Sequence, residues 1–206
     1  MKYQVNKAVV VGAGTMGAAL AAHLANAGIP TTLLDIVPFK LTEKEEKKGL
    51  TMEDKAVRYR IVEAGLQAAK KSRPASFFSS DQLTLVESGN LEDDFSVMAE
   101  ADLIVEAIIE NLEIKQDLMK RIDAVRKPTA IVATNTSGIP VKAIAAELSD
   151  GFKQHFLGMH FFNPPRYLKL LEVIPTADTL PEVVEFVSWF GEYRLGKGIV
   201  LCKDTP

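Results

Sequence analysis

Short runs of apolar residues alternate along the chain with stretches whose apolar positions recur every three or four residues. The first run, Lys7-Ala8-Val9-Val10-Val11, shows no polar alternation, the pattern of a strand covered on both faces. A helical pattern occupies residues 15–27, and Gly28 stands at its expected stop. Thr31-Thr32-Leu33-Leu34-Asp35 predicts a second strand. Further strands are predicted at 83–86, 103–108, 130–134, 156–162, 168–174 and 199–203, and helices at 112–125, 141–148 and 181–193. Such alternation specifies an α/β, Rossmann-type doubly wound sheet, mostly parallel and covered by helices.

Two segments depart from this rhythm. Residues 36–50 are polar, with the charged run Glu43-Lys44-Glu45-Glu46-Lys47-Lys48, and read as a solvated loop or helix face. Thr51 followed three residues later by Asp54 signals a helix start, and Val57, Ile61, Ala64 and Ala68 keep one face until Pro74. A helical insertion after the second strand is therefore expected. The second departure is Asn163-Pro164-Pro165-Arg166-Tyr167, a turn-forming sequence between two strand-like runs. It predicts an antiparallel hairpin extending the sheet. With no internal repeat or low-complexity linker, residues 1–206 are expected to form one domain.

Composition narrows the field. The formal net charge of the 206 residues is -3, so no basic excess points to nucleic acid or an anionic membrane. No apolar stretch approaches the ~20 residues of a membrane span, and no signal or transit peptide is visible. Cys202 is the single cysteine, which leaves no disulfide and no Cys/His cluster for a metal. It is expected to be a buried, inert thiol in a cytoplasmic protein. The sequence stops at Lys203-Asp204-Thr205-Pro206, directly after a strand, and is expected to be part of a longer protein.

Gly12-Ala13-Gly14-Thr15-Met16-Gly17 joins the first strand to the first helix, and Asp35 ends the second strand. Gly12 permits a tight turn, Gly14 lets backbone approach a pyrophosphate, and Gly17 lets helix and strand pack closely. The helix N-terminus supplies free N–H groups for the phosphates. A carboxylate at Asp35 suits two ribose hydroxyls and repels a 2′-phosphate, and Ile36 and Val37 offer no arginine for one. The cofactor is expected to be NAD.

Three histidines are available. His23 lies on the first helix and reads as structural, and His155 lies in a polar stretch and reads as exposed. His160 sits inside the apolar run Met159-His160-Phe161-Phe162, and Glu172 inside Leu170-Leu171-Glu172-Val173-Ile174. If the proline-rich turn reverses the chain, its midpoint at position 166 sets these two residues opposite each other on one face. A carboxylate beside an imidazole fixes its tautomer and makes a general base, although a structural ion pair is the alternative. Ser137 follows a central strand at the edge where open parallel sheets bind ligands, and also suits a helix cap. Glu110 and Lys115 follow the neighbouring strand and by themselves read as exposed helix-start charges.

The segments Val9-Val10-Val11-Gly12-Ala13-Gly14-Thr15-Met16-Gly17, Glu110-Asn111-Leu112-Glu113-Ile114-Lys115, Asn135-Thr136-Ser137 and His160-Phe161-Phe162-Asn163-Pro164 resemble the L-3-hydroxyacyl-CoA dehydrogenase family. The resemblance implies NAD-dependent oxidation of (S)-3-hydroxyacyl-CoA to 3-oxoacyl-CoA in fatty-acid β-oxidation. It implies His160 as base, Glu172 as its orienting acid and Ser137 near the substrate hydroxyl and the nicotinamide. Asn163, Glu110 and Lys115 match positions lining the cofactor site, beside Gly12, Gly14, Thr15, Met16, Gly17 and Asp35. In this family a helical domain with much of the acyl-CoA cleft and the dimer contacts follows. The intact protein is thus expected to be a homodimer or a fusion to a hydratase-like domain. The alternatives are a related 3-hydroxyacid dehydrogenase and a non-catalytic NAD-binding module.

Overall fold

The four residues of β1 (Ala8–Val11) carry no polar side chain and are all buried. Such a strand needs partners on both edges and cover on both faces, and it has them. The structure, a computed structural model, describes residues 2–205. Pro206, which ends the Lys203-Asp204-Thr205-Pro206 sequence, lies outside the described residues.

From β1 the chain enters α1 (Thr15–Asn26) and returns as β2 (Thr31–Asp35). The insertion holds α2 (Glu43–Lys47), α3 (Lys55–Arg58), α4 (Arg60–Lys71) and α5 (Ser80–Leu83). Then come β3 (Val86–Asn90), β4 (Leu103–Glu106), α6 (Leu112–Val125), β5 (Ile131–Thr134), α7 (Val141–Ile144) and α8 (Asp150–Lys153). The hairpin strands β6 (Phe156–Phe161) and β7 (Leu170–Pro175), then α9 (Pro181–Trp189) and β8 (Gly198–Leu201), complete the order.

One eight-stranded sheet runs β3-β2-β1-β4-β5-β6-β7-β8. Strands β1 to β6 pair in parallel, β7 is antiparallel to β6, and β8 pairs in parallel with β7. Alternate residues feed two cores, as strand geometry requires. Val10, Leu33, Met159 and Phe161 meet α1, α4 and α9 on one face, while Val9, Val11 and Leu34 meet α6, α7 and α8 on the other. The doubly wound sheet with its hairpin and helical insertion is the expected architecture. No helix among the described residues is long and apolar enough to cross a membrane.

Several local expectations are corrected. Of residues 83–86 only Val86 lies in a strand. A capping box, with Ser79 and Gln82 each bonding the other's backbone, winds Ser80–Leu83 into a helical turn, and the strand begins at Val86. Leu83 and Leu85 still pack onto the core, from a turn. The charged run is not wholly solvated. Thr42 and Glu45 form a second capping box, and Glu45 is buried and paired with Arg60. The predicted helix over 141–148 covers only Val141–Ile144. His155 is buried rather than exposed, bonding the Tyr3 hydroxyl at 3.2 Å and the Gly151 carbonyl at 2.9 Å. Cys202 is half-exposed rather than buried, because it follows β8 at the open edge of the sheet.

Candidate active site

The C-terminal ends of β1, β2, β4, β5 and β6 converge on one edge of the sheet. Gly12 leaves β1 at φ +102°, and a Cβ there would lie 2.5 Å from the Ala107 carbonyl oxygen. Only glycine suits both demands. A Cβ on Gly17 would lie 1.7 Å from the Gly12 oxygen, so helix and turn touch backbone to backbone. Gly14 faces open space, and no side chain caps α1. The first-turn N–H groups of that helix are thus left for an anion. Asp35 accepts the Ala13 N–H at 2.5 Å and the Ile36 N–H at 2.7 Å, which aims its carboxylate across the glycine turn.

A cleft of about 560 Å³ opens beside these groups, bounded by Gly14, Asp35, Ile36, Phe39, Ile108 and Arg121. Its size suits a nucleotide moiety. Phe39 is 89% exposed and forms an apolar wall that periodicity did not reveal. The Arg121 guanidinium reaches the same cleft from α6. It is already committed, donating to the Leu91 carbonyl at 2.7 Å and stacking 4.2 Å from the Phe95 ring centroid. Thr15 and Asn163 border a smaller cleft of about 280 Å³ on the α4 side of the turn, while Met16 packs partly buried on the core. The glycine turn, the uncapped helix and Asp35 together fit a dinucleotide.

Gly65 was not singled out by its sequence context, an amphipathic helix. A Cβ there would sit 2.0 Å from the Ala13 oxygen, so α4 buttresses the glycine turn by backbone contact.

The histidine and its acid meet as the turn arithmetic expects. His160 pairs with Glu172 across β6 and β7, and their neighbours Met159, Phe161, Leu171 and Val173 turn into the core. His160 Nδ1 lies 2.7 Å from Glu172 Oε2, and Nε2 lies 3.0 Å from the Ser137 hydroxyl. The assignment consistent with this network has Nδ1–H donating to Glu172 and the Ser137 hydroxyl donating to Nε2. Asn135 accepts the Phe161 N–H at 2.9 Å, pinning the loop after β5 to β6. The hairpin turn is fixed as well. Arg166 donates to the Ala75 and Phe77 carbonyls at 2.8 Å, and Lys197 to the Pro165 and Leu168 carbonyls. Burial pushes the Lys197 ammonium down to about 8.

Glu110 is exposed as expected but hydrogen-bonded, and Lys115 is not an exposed charge. Glu110 accepts the Ser137 N–H at 2.7 Å and the Thr136 hydroxyl at 2.5 Å. Burial works to raise its carboxyl, but these hydrogen bonds and Lys115 outweigh it and hold it below the usual range. Lys115 is fully buried, its ammonium 3.6 Å from Glu110 and 2.6 Å from Glu106. Glu106 escaped attention in the sequence. Its signal was the one that exposed Glu172, an acid inside an apolar strand. Among the described residues no cluster of His, Cys, Asp or Glu could hold a metal.

Comparison with known proteins gives consistent matches. A family model described as "3-hydroxyacyl-CoA dehydrogenase, NAD binding domain" matches residues 7–205. A "Probable 3-hydroxyacyl-CoA dehydrogenase" of Bacillus subtilis (strain 168) is 50% identical over 206 residues, all of this chain and 26% of that protein. The human "Hydroxyacyl-coenzyme A dehydrogenase, mitochondrial" is 36% identical over 208 residues, 100% of this chain and 61% of that protein. The crystal structure of 3-hydroxybutyryl-CoA dehydrogenase from Escherichia coli K12 superposes with a TM-score of 0.73 at 30% identity. That match takes in 98% of this chain and 39% of the other. The chain thus spans between about a quarter and three fifths of these relatives' lengths.

Proposed function

Because the chain belongs to the 3-hydroxyacyl-CoA dehydrogenase family through its NAD-binding domain, we propose that it oxidises (S)-3-hydroxyacyl-CoA to 3-oxoacyl-CoA in fatty-acid β-oxidation. The observation that supports this best is the Ser137–His160–Glu172 array beside the glycine turn. NAD, when bound, supplies the hydride acceptor. Gly12, Gly14 and the α1 N-terminus would hold its pyrophosphate and Asp35 its adenosine ribose. Thr15, Met16, Gly17, Glu110, Lys115 and Asn163 would build the surrounding site.

In this reading Glu172 keeps the proton of His160 on Nδ1, which leaves Nε2 as the acceptor. The Ser137 hydroxyl, 3.0 Å from Nε2, marks where a substrate hydroxyl would be received. As the hydroxyl proton passes to Nε2, the carbinol carbon gives up its hydride. The adjacent Glu172 carboxylate stabilises the imidazolium that results. Glu110 holds the Ser137 backbone in place while this happens.

Residues 1–206 form one NAD-binding unit in this proposal. The acyl-CoA cleft is completed by a further domain, and the intact protein is a cytoplasmic homodimer or a fusion to a hydratase-like domain. The length of the Bacillus subtilis relative outside the match supports a larger whole.

The test is turnover by the intact protein of the two enantiomers of 3-hydroxybutyryl-CoA with NAD, followed by NADH absorbance. Turnover of the (S) form alone is expected. Equal turnover of free 3-hydroxybutyrate would point to a different hydroxyacid dehydrogenase. Cofactor binding without turnover of any hydroxyacyl-CoA would point to a non-catalytic module.

A further inference from the structure

Glu106 ends β4 and is fully buried, yet the mechanism above makes no use of it. Both of its oxygens face donors. Oε1 receives the Lys115 ammonium at 2.6 Å and the Ile108 N–H at 2.7 Å, and Oε2 receives the Thr134 hydroxyl at 2.6 Å. That is the hydrogen-bonding pattern of a carboxylate. Lys115 lies between this carboxylate and that of Glu110, at 2.6 and 3.6 Å. Two carboxylates and one ammonium leave the cluster with one net negative charge.

A buried salt bridge is weak evidence for stability, since desolvation offsets most of its Coulomb energy. A cluster with an unbalanced charge at a reaction centre asks for another reason. This one is joined to the dyad by the Glu110–Ser137 bond of 2.7 Å and the Ser137–His160 contact of 3.0 Å. On the functional reading above, on which this inference rests, proton and hydride leave the same carbinol group. The nicotinamide must then approach the corner that Ser137 and His160 occupy. The oxidised ring is positive and the reduced ring neutral, so a nearby negative charge distinguishes them. Glu106 and Lys115 are at most 1% exposed, so salt and water screen their share of the field little, whereas Glu110 is 45% exposed and its share is screened more strongly.

We infer that the Glu106–Lys115–Glu110 cluster tunes the bound cofactor toward its oxidised form, with Glu106 as the buried positioning residue that sets its net charge. Glu106 anchors the Lys115 ammonium, Lys115 approaches Glu110, and Glu110 fixes the Ser137 backbone.

NAD+ and NADH share the adenosine, pyrophosphate and ribose groups, so the ratio of their dissociation constants isolates the nicotinamide ring. That ratio is to be measured by isothermal titration of the intact protein, its Glu106→Gln variant and the Glu106→Gln/Lys115→Gln double variant. Glu106→Gln brings the cluster to zero and is expected to weaken NAD+ relative to NADH by roughly three- to ten-fold. The double variant restores one net negative charge, and its ratio is expected to return toward the wild-type value. A purely structural role would lower both affinities together, and a ratio unchanged to within about two-fold overturns the inference. So does a double variant that behaves like the single one. If Glu106→Gln does not fold, Glu110→Gln removes the same charge from the exposed end and must move the ratio in the same direction. Wild-type protein that binds neither cofactor form would instead overturn the functional reading beneath the inference.

Discussion

His23 sits on α1 with both ring nitrogens buried and without a hydrogen-bond partner among the described residues. Burial, reinforced by the nearby Lys197 charge, lowers its pKa from 6.5 to about 4. The unfolded chain therefore binds a proton between those values that the folded chain does not. Stability is fully present above pH 6.5 and falls as pH drops toward 4, by at most roughly 3 kcal/mol. Substituting His23→Leu should flatten this acid limb while leaving the melting temperature at pH 7 unchanged or higher. Thermal melts across the range check it, and an unaltered limb would show that other groups cause it. Asp35 is proposed to set a different property, the choice of cofactor. Its carboxylate is already oriented by two backbone N–H groups, so Asp35→Ser should lower NADH affinity by about ten-fold or more and narrow the preference over NADPH. Titration with both reduced cofactors decides this, and a preference left intact would assign discrimination elsewhere. These residue roles differ in how far the sequence announced them. The placement of Asp35, His160 and Glu172 was legible: Asp35 ends the strand that follows the glycine turn and its helix, and His160 and Glu172 each break an apolar run. Glu106 breaks one in the same way and was overlooked within its strand. Phe39 and Arg121 reach the cleft beside Asp35 only through tertiary placement, which no local pattern encodes.

The elements were legible where burial dictates their pattern. The central strands β1, β4 and β5 are apolar up to the Glu106 and Thr134 that end the last two, because both faces are covered, so they announce themselves. The edge strand β3 reads Val86-Glu87-Ser88-Gly89-Asn90, which no apolar pattern identifies, and the apolar residues just before it drew the strand to the wrong place. The hairpin was legible from its turn, and its register followed from simple counting to the midpoint. The insertion was foreseen as helical, but its contact with the glycine turn was not. Gly65 makes that contact, and the atom a new side chain would strike belongs to backbone. Gly65→Ala should force α4 off the glycine turn, costing about 1–3 kcal/mol and weakening NADH binding as well. Chemical denaturation with a parallel NADH titration tests the pair of effects. Lost stability with normal binding would mean that the turn keeps its shape without this buttress.

Across the molecule, the sheet collects at one edge what the sequence scatters between Gly12 and His160. The glycine turn after β1, the acid at the end of β2, the charge cluster after β4, the serine loop after β5 and the histidine on β6 become neighbours. They do so because parallel strands all end on the same side. That convergence was readable from the sequence once the sheet was assigned. The chain of contacts from Glu172 through Ser137 to Glu106 was not, since it depends on side-chain reach between strands. The proposed activity of this edge requires proton transfer through His160. The most direct measurement is reduction of acetoacetyl-CoA by NADH in the intact protein and its His160→Gln variant, alongside NADH binding by each. In the variant kcat is expected to fall by roughly 100-fold or more, with NADH affinity retained. Turnover near the wild-type rate in a variant that still binds NADH would contradict it.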